Sequence, residues 1–252
     1  MACMISSMIS SQMSDPDSPA LVLLHGFTNT GASWEPVIAR VGQRYRAIAP
    51  DIRGHGSASD SRPVTLAAVL TDVAALAPER FTLCGYSMGG RIALHVALAL
   101  PERVQRLVTI GASPGIAQRS ERDARRAADE ALAARLETTT IEAFAAEWAR
   151  TPVLADLPPQ LAAAAHEDRL RSTPAGLARA LRGLGTGALP SLWERLGELS
   201  MPVLLLAGER DLKFLGVASE MASLIPDATA VAVRGAGHAA HLEAPEFVGD
   251  LL

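Results

Sequence analysis

Apolar residues fall along this chain in two alternating kinds of stretch. Short continuous runs such as Ala20-Leu-Val-Leu-Leu24 predict strands buried on both faces of a parallel sheet. Longer stretches with apolar residues every three or four positions predict amphipathic helices. The first strand leads into His25-Gly-Phe-Thr-Asn-Thr-Gly31 and a helix capped near Ser33, with Trp34, Val37, Ile38 and Val41 inward. Tyr45-Arg-Ala-Ile-Ala49 is the next strand, and Thr65 can cap a helix reaching about Ala77, with Leu66, Val69, Leu70, Val73 and Leu76 on one face. Phe81 to Cys84, then the helical pattern of Ile92, Leu94, Val96 and Leu98, then Val104 to Ile110 continue the alternation.

From Pro114 to about Pro190 the pattern changes to alanine-rich, charged helical segments without a strand. Alternation resumes at Pro202-Val-Leu-Leu-Leu206, with a helix near Val217–Leu224 and a strand at Thr229–Val233. The expected fold is α/β: a mostly parallel, doubly wound sheet with helices on both faces and an inserted helical cap. Residues 17–113 and 191–252 are expected to form the core, 114–190 the cap, and the Ser- and Met-rich 1–16 a disordered leader.

Composition narrows the function classes. The chain of 252 residues is 49% hydrophobic, which suits one large α/β domain. A net charge of −4 gives no reason to expect nucleic acid or an anionic membrane as partner. No apolar run approaches the roughly 20 residues of a membrane span. The first segment lacks the basic and apolar regions of a signal peptide. Cys3 and Cys84 form neither a disulfide framework nor a metal-ligand spacing, so a reducing, cytoplasmic setting is expected. Lys213 is the sole lysine among 23 basic residues, so fixed positive charge here means arginine.

The chemistry centres on Gly85-Tyr-Ser-Met-Gly-Gly-Arg91. Strand, then G-x-S-x-G, then helix is the context of a nucleophile elbow, in which Ser87 stands on a turn that tolerates only small neighbours two positions away. A serine hydroxyl becomes a nucleophile or base when an imidazole takes its proton and a carboxylate orients that imidazole. Asp211, in Ala207-Gly-Glu-Arg-Asp211, and His238, in Gly235-Ala-Gly-His238, each follow a strand in the required order. Glu209, one step off the strand, is the rival acid to the preferred Asp211. The backbone N–H groups of Phe27 and Met88 are the candidate oxyanion donors; the alternative reading of His25-Gly26 is a tight strand exit. His55 and His95 read as packing residues.

Across nearly its whole length after residue 20 the chain resembles the α/β-hydrolase superfamily. Within it, His25-Gly-Phe-Thr, Gly85-Tyr-Ser-Met-Gly-Gly-Arg91, Gly208-Glu-Arg-Asp-Leu-Lys-Phe214 and Gly237-His-Ala-Ala-His-Leu-Glu243 resemble the 2-succinyl-6-hydroxy-2,4-cyclohexadiene-1-carboxylate synthases of menaquinone biosynthesis. The last two motifs discriminate, since they are not general hydrolase patterns. The resemblance implies a lyase that eliminates pyruvate from a small, multiply carboxylated substrate, with no metal or organic cofactor. It implies Arg91, Arg125 and Arg171 as carboxylate clamps, where the planar guanidinium suits bidentate binding. Arg125 also fits a solvated face paired with Glu121, Asp123 and Asp129. Tyr86 and Trp148 are candidate pocket walls, Trp148 equally a cap-core residue. Two rival readings remain: a carboxylesterase or carbon–carbon bond hydrolase on the same triad, and a ligand-sensing protein that keeps the fold. Oligomeric state is not legible.

Overall fold

The computed structural model describes residues 18–152 and 154–252; the expected leader, 1–16, lies outside the described residues. Six parallel strands form one sheet: β1 (Ala20–Leu24), β2 (Arg46–Ile48), β3 (Phe81–Tyr86), β4 (Val104–Ile110), β5 (Val203–Gly208) and β6 (Ala228–Val233), in the order β2-β1-β3-β4-β5-β6. Every residue of β1, β3 and β5 is buried, which explains their unbroken apolar runs, whereas the edge strands β2 and β6 are largely half-buried or exposed.

Alternate residues of β1 feed two cores. Val22 and Leu24 join one cluster with Val69 and Val73 of α2 (Leu66–Leu76), Ile92 and Val96 of α3 (Met88–Ala99) and Met221. Leu21 and Leu23 join the other, with Trp34 and with Val37 and Val41 of α1 (Glu35–Val41). Each such fully buried aliphatic side chain contributes roughly 1.5–3 kcal/mol. Thr65 caps α2 as expected, accepting the Ala68 N–H at 3.3 Å. The helix after β1 begins differently: a 3-10 turn, Gly31–Trp34, capped by Thr30, precedes α1.

Between β4 and β5 stand α4 (Arg119–Leu136), α5 (Ile141–Trp148), α6 (Pro159–Arg169) and α7 (Pro174–Leu184). Of these, α4, α5 and α7 share a small core of Ala133, Leu136, Phe144, Leu177, Ala178 and Leu181. Polar bonds join this insertion to the sheet's carboxyl edge: Gly56 N–H donates to Ser172 Oγ at 3.0 Å, Thr173 N–H to Ser59 Oγ at 3.3 Å, and Thr30 N–H to Asp168 at 2.9 Å. After β5, α8 (Leu212–Leu224) starts five residues before Val217, where the sequence pattern becomes apolar, because Asp211 itself is its N-cap. Two short helices, α9 (Ala240–Glu243) and α10 (Pro245–Leu251), follow β6. Among the described residues no helix is long and apolar enough to cross a membrane.

Candidate active site

All the chemistry-bearing loops leave the carboxyl ends of strands, where a parallel sheet opens a crevice. Ser87 follows β3 with φ 50° and ψ −110°. A positive φ in a non-glycine residue costs of order 1–3 kcal/mol and persists only where the surroundings impose it. Here they do: Ser87 N–H donates to Ile110 O at 2.8 Å, and a Cβ on Gly89 would overlap the carbonyls of Leu24 and His25. That contact presses the first turn of α3 against the loop after β1. The N–H of Met88, at the start of α3, is one of the donors a helix leaves unpaired. Phe27 lies in the turn closed by Asn29 N–H on Gly26 O at 3.1 Å.

The imidazole of His238 stands between Ser87 and Asp211. Its Nδ1 donates to Asp211 Oδ2 at 2.6 Å, which leaves Nε2 to accept from Ser87 Oγ at 3.1 Å. The ring is walled by Phe214 at 4.8 Å and Tyr86 at 5.4 Å between centroids. Gly111, at φ 56°, gives it room, since a Cβ there would lie 3.0 Å from His238 Cε1. Glu209, the rival acid, points elsewhere: its Oε2 accepts the Gly235 N–H at 2.8 Å.

The other buried histidines stand apart from this relay. His25 Nδ1 donates to Gly26 O and its Nε2 accepts the Ile52 N–H, both at 2.9 Å, so the ring ties two loops together in its neutral form. Burial lowers the His55 value to about 3 and that of His95 to about 4.

Arg91 and Arg125 lie close enough to act on each other's charge. Arg91, 7% exposed, has an Nε without a partner, and burial, with Arg125 second, lowers its value to about 10. It stays cationic at neutral pH. Arg125 bonds Asp129 at 2.8 Å, with its side chain 47% exposed. Trp148 stacks on Phe144 and meets Phe27 edge-on at 5.3 Å, so it is both part of the insertion's core and a cover for the Phe27 loop. Tyr86 is buried against His238 and His241, and burial pushes its phenol well up. Among the described residues no group of three or more His, Cys, Asp or Glu side chains is arranged to hold a metal ion.

The defining pattern of the alpha/beta hydrolase fold family matches residues 19–245. A Bacillus subtilis (strain 168) protein named, provisionally, 2-succinyl-6-hydroxy-2,4-cyclohexadiene-1-carboxylate synthase is 36% identical over 93% of this chain and 89% of its own. The Salmonella paratyphi C (strain RKS4594) protein of that name is 33% identical, over 94% and 93%. The solved structure of MenH from S. aureus matches with a TM-score of 0.86 at 33% identity, over 92% of this chain and 91% of its own. The chain belongs to this synthase family of α/β hydrolases.

Within this synthase-family chain, sequence reasoning passed over Arg169. Arg171, expected as a clamp, has a side chain 63% exposed, lies 3.8 Å from Asp168, and lines a surface groove with Asn29, Ser33 and Glu35. Arg169 is 2% exposed, its Nε and Nη1 have no partner, and the Tyr86 phenol lies close enough to act on its charge. Arg169 is the last residue of α6, whereas Arg171 lies in the turn beyond it, so the two side chains leave the backbone in different surroundings. A guanidinium with two orphaned buried donors is a ready anion site. Asp168 went unnoticed as well. Its carboxylate takes the N–H of Thr30, the Thr30 hydroxyl and Asn29 Nδ2, fixing α6 to the loop that holds Phe27. No motif announces either residue; an Asp-Arg pair closing a helix is an ordinary surface pattern.

Proposed function

We propose that the protein is a 2-succinyl-6-hydroxy-2,4-cyclohexadiene-1-carboxylate synthase: a cytoplasmic lyase that removes pyruvate from 2-succinyl-5-enolpyruvyl-6-hydroxy-3-cyclohexene-1-carboxylate. The observation that carries this is His238, bonded at once to Ser87 and Asp211 in a chain of that family. In the proposed reaction Ser87, with His238 as proton acceptor, abstracts the ring proton beside the succinyl carbonyl. The C–H electron pair becomes a ring double bond, the existing double bond shifts, and the C–O bond to the enolpyruvyl group breaks. Enolpyruvate leaves and takes up a proton to become pyruvate. No water and no oxidant is consumed.

Asp211 stabilises the imidazolium that forms, and the N–H groups of Phe27 and Met88 hold the negative charge developing on the succinyl carbonyl oxygen. Arg91, Arg125 and Arg169 supply fixed charge for the substrate carboxylates, with Tyr86 and Trp148 as walls. The helices of 114–190 act as a cap that keeps those charges out of bulk water, where they would be weaker. Purified protein is expected to release one pyruvate per substrate, followed by lactate dehydrogenase and NADH. Alcohol release from small esters without pyruvate release would favour a hydrolase instead.

A further inference from the structure

The two motifs that discriminate this chain, Gly208-Glu-Arg-Asp-Leu-Lys-Phe214 and Gly237-His-Ala-Ala-His-Leu-Glu243, contain charged residues with no place in the chemistry above. Arg210 immediately precedes Asp211, and Gly237 immediately precedes His238. The carboxylate of Glu243 joins both. It accepts the Gly237 N–H at 2.9 Å on each oxygen and Arg210 Nη2 at 2.5 Å. Its side chain is 7% exposed, so the guanidinium and the N–H are what compensate its desolvation.

The same two loops are joined along their backbones. Glu209 N–H donates to Val233 O and Arg210 N–H to Ala236 O, both at 2.9 Å, while Glu209 Oε2 takes the Gly235 N–H. Beside this joint lies a pocket of about 180 Å³ lined by Pro152, Asp156, Leu157, Arg210, Asp211 and Glu243, with Gly237 and His238 behind them. Ala236 and Ala239 pack into the core, but on the side that opens to this pocket the loops are joined by the ion pair and these hydrogen bonds.

The geometry points to Arg210 and Glu243 as positioning residues: their ion pair fixes the Gly237 backbone against the residue before Asp211, and so sets the 2.6 Å contact between Asp211 and His238. Neither touches the reacting atoms. This rests on His238 being the base in the proposed lyase.

The test uses Glu243→Gln, Arg210→Leu and the double variant of the full chain, in the pyruvate assay and in proton NMR. The downfield resonance of the His238 Nδ1–H is identified by its loss in His238→Gln. Glu243→Gln should lower kcat about tenfold with KM within about twofold, since misplacing a catalytic group costs rate more than binding. It should also move or broaden the downfield resonance. The double variant should be no slower than the slower single, because both break one bond. Unchanged kcat and resonance in the single variants would overturn the assignment, as would losses that multiply in the double variant or a change in KM alone. Arg210 is half-exposed, so Arg210→Leu carries the test should Glu243→Gln fail to fold. If the wild type releases no pyruvate, the lyase reading fails, while the resonance still reports whether the pair sets the Asp211–His238 contact.

Discussion

Asp168, in the helical insertion, accepts the backbone N–H of Thr30 at 2.9 Å and thereby joins the insertion to the loop carrying Phe27. One carboxylate therefore positions two things, the neighbouring Arg169 and the turn that presents the Phe27 N–H. Asp168→Asn replaces an acceptor with an amide facing other donors, and leaving such buried groups unmatched costs about 1–3 kcal/mol. A lower melting temperature together with a lower kcat/KM is the expected result. A variant with wild-type melting and wild-type kinetics would show that the joint is idle.

Arg91 combines burial with incomplete pairing, so it should cost stability in the empty enzyme. Replacing desolvated charge by a well-packed apolar side chain is often stabilising by about 1–4 kcal/mol. Arg91→Met is expected to raise the melting temperature while raising KM for the carboxylated substrate at least about tenfold. Hydrolysis of a small neutral ester should change little. Equal loss of both activities would remove the clamp role.

Arg169 and Arg171 offer a direct contrast on one helix end. Arg169→Leu should impair pyruvate release by about 100-fold or more, on the scale of a lost charge-assisted bidentate contact. Arg171→Leu should stay within about twofold, as an exposed residue outside the site does. The reverse ranking, measured as kcat/KM side by side, would restore the position that the motif suggests.

Stability should fall on mild acidification. Burial lowers the pKa values of His55 and His241 to about 3 in the folded protein, against 6.5 for an unperturbed imidazole. The unfolded chain therefore binds these protons first, so full stability holds above pH 6.5 and drains away as pH falls toward 3. Each histidine contributes a slope of up to about 1.4 kcal/mol per pH unit across that window. Denaturant melts at pH 7.5 and 5.5 should separate clearly for the wild type and less for His55→Asn. Identical separation in the variant would mean that His55 does not share in the slope.

Strand ends are legible in this sequence because buried parallel strands read as unbroken apolar runs, and polar residues just beyond them stand out. Ser87, Asp211 and His238 can be found in that way, and the structure brings them within hydrogen-bonding distance. The start of α8 is less legible: it precedes the apolar pattern near Val217, Leu212 is 77% exposed, and only the cap at Asp211 marks it. Arg169 is hidden for another reason. Arginine usually lies in solvent, and which of two arginines is buried depends on how the end of α6 and the turn after it are held, which Asp168 does through Asn29 and Thr30 far away in the chain.

The rate of pyruvate release by Ser87→Ala, beside the wild type at saturating substrate, tests the central claim most directly. Loss of the group that takes the ring proton should slow release by about 1000-fold or more, with the fold intact by circular dichroism. Release within about tenfold of the wild type would contradict a serine–histidine base in this enzyme.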